Sequence, residues 1–101
     1  MVPPDPVLYQ AESADQRLVQ PLDVMTLIYQ RRSGITHIVA EPVPEMLEAM
    51  GDDAVDAAAL VERLTGSFDL GEAAEAEAVI TARLEELAEL GLVERVSRRA
   101  A

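Results

Sequence analysis

Residues 22–42 read LDVMTLIYQRRSGITHIVAEP, two β-prone runs on either side of an Arg-Arg-Ser-Gly turn, ended by a proline. Valine, isoleucine, threonine and tyrosine suit a pleated, half-buried surface better than a helix. Met25, Leu27 and Tyr29 alternate with Thr26, Ile28 and Gln30. That is close to the period of two expected of a strand with one face toward a core, Ile28 being the exception. Gly34 supplies the positive φ that short hairpin loops demand, and residues 35–40 resume as the partner strand. A hairpin is therefore expected here, its last strand presenting a free edge.

Residues 1–16 form an extended lead-in containing Pro3, Pro4 and Pro6, with residues 7–9 able to add a short strand. The run RLVQPL at 17–22 is strand-like, but Pro21 removes a ladder donor and suits only a strand end or an edge. After Glu41 the period changes. Pro42 ends the strand, Pro44 fits the start of a helix, and Val43, Met46, Leu47 and Met50 fall at helical spacing before Gly51 closes the turn. Asp52 or Asp53 is expected to cap a second helix that buries Leu60, Val61 and Leu64 and stops at Gly66. The only phenylalanine, Phe68, is expected to plug the core beneath the following linker. From Glu72 a longer helix places Ala76, Ile80, Leu84 and Leu87 on one stripe, and Gly91 ends it. With Leu90 as C-cap, Leu92 folds back toward Leu87, and Val93 and Val96 begin a short terminal strand. Residues 97–101 are a basic C-terminal tail.

Strand, strand, strand, helix, helix, helix predicts an α+β, winged-helix-like domain over residues 17–96, a three-stranded antiparallel sheet followed by three helices. At 101 residues the core is thin, so function is expected on the outside. No cysteine is present, which removes disulfide and thiolate chemistry. Neither a membrane-spanning run nor a signal core is evident, and a cytoplasmic protein with no membrane partner is expected. Nineteen acids stand against eight arginines and no lysine, a net charge of −11 that repels phosphate backbones and favours neutral or basic partners. Solubility alone is the commoner reason for such a surface.

The stretch LDVMTLIYQRRSGITHIVAEPVPEML, together with TARLEELAELGLV near the far end, resembles the PqqD-like peptide chaperones, specifically the subgroup of the HPr-related kinase A system. The resemblance covers roughly residues 17–96. It is carried by Ser33-Gly34 and Thr36-His37 in the hairpin, the Pro42-containing start of the first helix, and LAELGLV at 87–93. It implies the fold called the RiPP recognition element, three strands followed by three helices. There the leader of a ribosomally made precursor peptide adds as a strand beside the third strand, in the groove next to the third helix. It also implies a partner modifying enzyme, kinase-like or other, with no cofactor and no catalysis by this chain.

Carried over to this sequence, the peptide-binding edge is Ile35, Thr36, His37, Ile38 and Val39, and the helical wall would take Ile80, Leu84 and Leu87 for apolar grip with Arg83 for an acidic leader residue. For the aliphatic stripe, packing on the sheet is the better expectation, and Arg83 is more often a solvated charge with Glu86 its only acidic helical neighbour. His37, the sole histidine, lacks the companions that a metal site or a general base needs, and is expected to share a strand face with Ile35 and Val39. Arg31 and Arg32 read as solvating charges at the turn. No phosphate loop, nucleophile–base pair or ligand cluster appears, so an enzyme is not expected.

The competing reading is a transcription-associated winged helix. Direct DNA binding is disfavoured because residues 72–90 hold six acids and one base. That alternative therefore works through protein contacts or dimerisation. The oligomeric state is not written in the sequence.

Overall fold

A computed structural model describes residues 7–65 and 72–96. Five strands and three α-helices follow in the order β1 (Leu8–Ala11), β2 (Arg17–Leu22), β3 (Met25–Gln30), β4 (Ile35–Ala40), α1 (Val43–Met50), α2 (Ala57–Thr65), α3 (Ala73–Leu90) and β5 (Val93–Val96). A 3₁₀ turn at Ala14–Gln16 leads into β2. The fold is α+β and winged-helix-like: a three-stranded antiparallel sheet in the order β2-β3-β4, followed by three helices. Gly66 as a helix stop, Phe68 as a plug, residues 1–6 and the tail at 97–101 lie outside the described residues.

The two hairpins fix the register. Asp23 and Val24 form the tight connection between β2 and β3, with Leu22 opposite Met25 and Asp23 at a φ of 58°. Gln30 lies opposite Ile35 across the second turn, where Gly34 adopts a φ of 73°. One face of the sheet thus collects Thr26, Ile28 and Gln30 with Ile35, His37 and Val39, and it is this face that turns to the core. Ile28 is fully buried, whereas Met25 and Tyr29 are 40% and 38% exposed. The alternation in the sequence left open which face is buried, and it is Thr26, Ile28 and Gln30 that turn to the core. Both faces of β3 are apolar, so alternation alone could not orient it, and the helices cover the side on which Ile28 lies.

Each helix buries the side its sequence spacing marks. α1 buries Val43, Met46, Leu47 and Met50, and α2 buries Ala57, Leu60, Val61 and Leu64. The cap of α2 is Asp56, whose carboxylate accepts from the Ala59 amide at 2.7 Å, and not Asp52 or Asp53. Asp53 instead pairs with Arg63 at 3.0 Å, and the same guanidinium donates to the Ala49 carbonyl at 2.9 Å, near the negative end of the α1 dipole. Ala76, Ile80, Leu84 and Leu87 of α3 are all buried.

At the end of α3, Gly91 takes a φ of 81°; its amide donates to Ala88, and the Leu92 amide donates to the Leu87 carbonyl at 3.0 Å. This pair of bonds is the Schellman arrangement expected from the sequence. It turns the chain into β5, which pairs antiparallel with β1. β1 belongs to the core: Tyr9 is only 4% exposed and exchanges two backbone hydrogen bonds with Val55, at 2.7 and 2.9 Å.

Candidate functional site

A sheet of order β2-β3-β4 has two borders, and among the described residues no strand pairs with the outer border of either β2 or β4. The two differ chemically. β2 carries Pro21, which cannot donate to a ladder, and Arg17 at its start. β4 reads Ile-Thr-His-Ile-Val-Ala, with neither proline nor charge, so it lacks the devices by which edge strands are blocked. Along it, alternate residues direct their N–H and C=O groups outward.

The side chains of β4 split between the two faces. Ile38 is 65% exposed on the outer face, where Thr36 also lies. His37 points inward between Ile35 and Val39, the face expected from the sequence, and sits opposite Ile28. Val39 is buried beneath the helices, while Ile35, at the hairpin end, stays 53% exposed. The His37 Nε2 is shielded from solvent and has no hydrogen-bond partner among the described residues. A buried polar atom left unmatched is costly unless something supplies the missing bond.

On α3, Ile80, Leu84 and Leu87 are at most 2% exposed, so they form the core under the sheet and no guest reaches them directly. Beside that stripe lie residues open to contact, among them Val79 and Leu90. Arg83 pairs with Glu86 at 3.1 Å, the one acidic neighbour its helix offers, while its Nε is shielded and unpartnered. The exposed glutamates of α3 therefore face solvent with their only helical cation already engaged.

A polar knot at the base of the β3–β4 hairpin holds β4 in place. Gln30, 1% exposed, donates through Nε2 to Glu12 Oε1 and to the Gly91 carbonyl, both at 2.9 Å, and accepts from the Ser33 hydroxyl at 2.6 Å. Arg32 donates to Glu12 Oε2 at 2.8 Å and to the Gly91 carbonyl at 3.1 Å. Arg17 donates to the Glu12 backbone carbonyl. Burial opposes ionisation of Glu12, but hydrogen bonds from Arg32 and Gln30 and the positive charge of Arg32 and Arg17 outweigh it and hold the carboxyl below its usual range. Arg32 is accordingly a structural tie to the end of α3 rather than a solvating charge at the turn. Sequence spacing could not show this, because Glu12 and Gly91 are far from Arg32 along the chain.

The candidate site is a strand border. Among the described residues, no three histidine, cysteine or acidic side chains are grouped to hold a metal, and no helix is long and apolar enough to cross a membrane. The fold and site define a winged-helix-like α+β domain with one unblocked strand border. Comparison with protein-family models, with curated proteins and with solved structures finds no match.

Proposed function

We propose that this chain is a non-catalytic peptide-binding adaptor that captures the leader of a ribosomally made precursor peptide by strand addition and presents it to a modifying enzyme. The observation that carries the reading is the β4 border, six residues of extended chain without charge or proline whose outer side, among the described residues, pairs with no strand. A guest backbone satisfies such a border whatever its sequence, and the side chains flanking the border supply selectivity. Ile35, Thr36, His37, Ile38 and Val39 form the binding edge, with Thr36 and Ile38 on one side of the guest and His37 on the other. A guest side chain carrying a donor or acceptor would meet the unpartnered imidazole nitrogen. Arg83 is the cation of α3 available to an acidic guest residue, in competition with Glu86. That the guest is a leader segment, and that the receiving enzyme is kinase-like or another modifying enzyme, rests on the resemblance to the PqqD-like chaperones. The acidic surface of α3 argues against nucleic acid as the partner.

A labelled leader peptide from a neighbouring precursor gene should bind with micromolar or better affinity, and Ile38→Pro should weaken it roughly tenfold or more. Amide shifts of the unmodified protein provide a readout independent of that variant's folding. Peptide-induced changes confined to β4 support strand addition, and changes that spare β4 refute it.

One observation favours the alternative, a transcription-associated winged helix acting through protein contacts or dimerisation. The outer sheet face presents Leu18, Leu22, Met25, Tyr29 and Ile38 without a single charge. Sedimentation equilibrium giving a stable dimer, with no leader binding, would decide for that alternative.

A further inference from the structure

The inner face of the sheet is covered unevenly. Its β4 side rests on α1 and the core, while its β2 side overhangs and leaves a groove of about 1020 Å³ between that overhang and α1. Val19 and Val24, 51% and 80% exposed, give this groove its open apolar surface, and the buried Ile28 and Leu47 lie beneath it. In a layered α+β fold the place beside a helix on a sheet face belongs to a second helix, and among the described residues none fills it.

The rim has one sign of charge. Glu41, Glu45, Glu48 and Asp52 follow at intervals of four, three and four residues along and beyond one side of α1, and all of them line the groove. Asp23 adds a fifth carboxylate from the β2–β3 turn, and Arg17 is the only cation on the lining, already donating to the Glu12 carbonyl. In addition, Glu45 Oε1 is shielded from solvent and has no partner among the described residues.

We infer that this groove docks a cationic amphipathic helix of a partner protein, its apolar stripe on Val19 and Val24 and its Lys or Arg side chains along the Glu41, Glu45, Glu48 and Asp52 row. Helix-in-groove recognition has this form, with anchors every three or four residues. The volume lies at the upper end of what small-molecule sites offer, which fits a segment of chain better than a metabolite. Charge complementarity selects the occupant: an acidic or neutral helix would leave the carboxylate row unmatched. The groove meets β4 only at Ala40, outside the proposed binding edge of Ile35 to Val39, so this docking does not depend on the strand-addition reading.

Three labelled model peptides of equal length test it by fluorescence anisotropy at moderate salt: Leu and Lys arranged with helical amphipathicity, the same residues scrambled, and the amphipathic pattern with Glu replacing Lys. The first should bind, and the other two should bind at least tenfold more weakly. Paired Glu45→Gln and Glu48→Gln should cost roughly five- to tenfold in affinity, while paired Glu62→Gln and Glu77→Gln, which remove the same charge from α2 and α3, should cost less than twofold. Amide shifts induced in the unmodified protein should gather at Val24, Thr26, Leu47 and Glu48. The proposal is overturned by absence of binding, by equal affinity for the scrambled peptide, by equal loss in both paired variants, or by shifts located elsewhere.

Discussion

Tyr9 on β1 donates its phenolic hydrogen to Glu85 on α3 across 2.5 Å, and Arg95 on β5 holds the same carboxylate with two hydrogen bonds of 2.5 and 3.0 Å. Three elements from the two ends of the chain are thus joined at one carboxylate. The hydrogen bonds from Arg95 and then Tyr9 hold the Glu85 carboxyl at about 2, while burial, then the hydrogen bond to Glu85, pushes the Tyr9 phenol up to about 12.

These shifts give the stability curve two limbs. Glu85 ionises more readily in the folded chain than at its ordinary value of 4.5, so its contribution is complete above that pH and is lost as the pH falls toward 2. Glu12, also held low, acts in the same direction. Tyr9 resists ionisation in the fold, so its contribution is complete below its ordinary value of 10 and is lost as the pH rises toward 12. Tyr9→Phe should lower stability by about 1–2 kcal/mol near neutrality and abolish the alkaline limb that belongs to this phenol. Urea midpoints collected across the pH range check both effects. An alkaline limb unchanged in Tyr9→Phe would show that the phenol does not carry it.

The two faces of β3 supply a contrasting pair. Ile28 is fully buried, so Ile28→Ala should cost about 2–4 kcal/mol through lost burial and the cavity left behind. Met25→Ala, on the outer face and 40% exposed, should cost less than about 1 kcal/mol. Thermal unfolding of the two variants separates them readily, since about 1 kcal/mol moves the midpoint of a domain this size by roughly 4–8 °C. A larger loss in Met25→Ala than in Ile28→Ala would mean that the strand is turned the other way.

What the sequence made legible follows how local each signal is. The α3 stripe of Ala76, Ile80, Leu84 and Leu87 repeats one helical period, and every member is buried as expected. The pairing of β3 with β4 was legible because a glycine-containing turn joins two β-prone runs. By contrast, β1 is four residues long and its partner β5 lies at the other end of the chain, so nothing near Tyr9 announced that it would be buried. The cap of α2 was misplaced because Asp52, Asp53 and Asp56 all precede the helix, and only the backbone path selects Asp56. The β4 border was legible as a strand, but its openness is a property of sheet order. The row from Glu41 to Asp52 stands plainly in the sequence, yet it gains meaning only beside the overhang of β2, which depends on packing.

Gln30 is the only buried polar or charged residue among those described, and three hydrogen bonds satisfy it. Gln30→Leu keeps its bulk but strips one bond each from Glu12, the Gly91 carbonyl and Ser33. It should cost about 1–3 kcal/mol, because the buried groups it leaves behind lose partners. Amide exchange should then quicken at Ser33 and Gly34 before it does in α3, since the knot anchors the hairpin and not the helix. Uniform quickening throughout the chain would show instead that the glutamine supports the whole fold.

Gly91 joins that knot to the end of α3 and makes two demands that a side chain would violate differently. Its φ of 81° is left-handed, where a Cβ costs about 1–2 kcal/mol, and a Cβ built there would lie 3.2 Å from Arg32 Nη2 and 3.7 Å from Gln30 Nε2. The closer neighbour is the far end of a flexible, mostly exposed side chain that can withdraw, so backbone strain should set the larger part of the cost. Gly91→Ala is expected to destabilise by about 1–2 kcal/mol and Gly91→Asn by less, because asparagine tolerates the left-handed region. Combining Gly91→Ala with Arg32→Ala discriminates the two causes. If strain dominates, removing the guanidinium restores nothing, and the losses add apart from the hydrogen bond to the Gly91 carbonyl that both changes disturb. Recovery of stability in the double variant would assign the cost to the clash and would make the Arg32 contact, rather than the helix terminus, the reason glycine stands at this position.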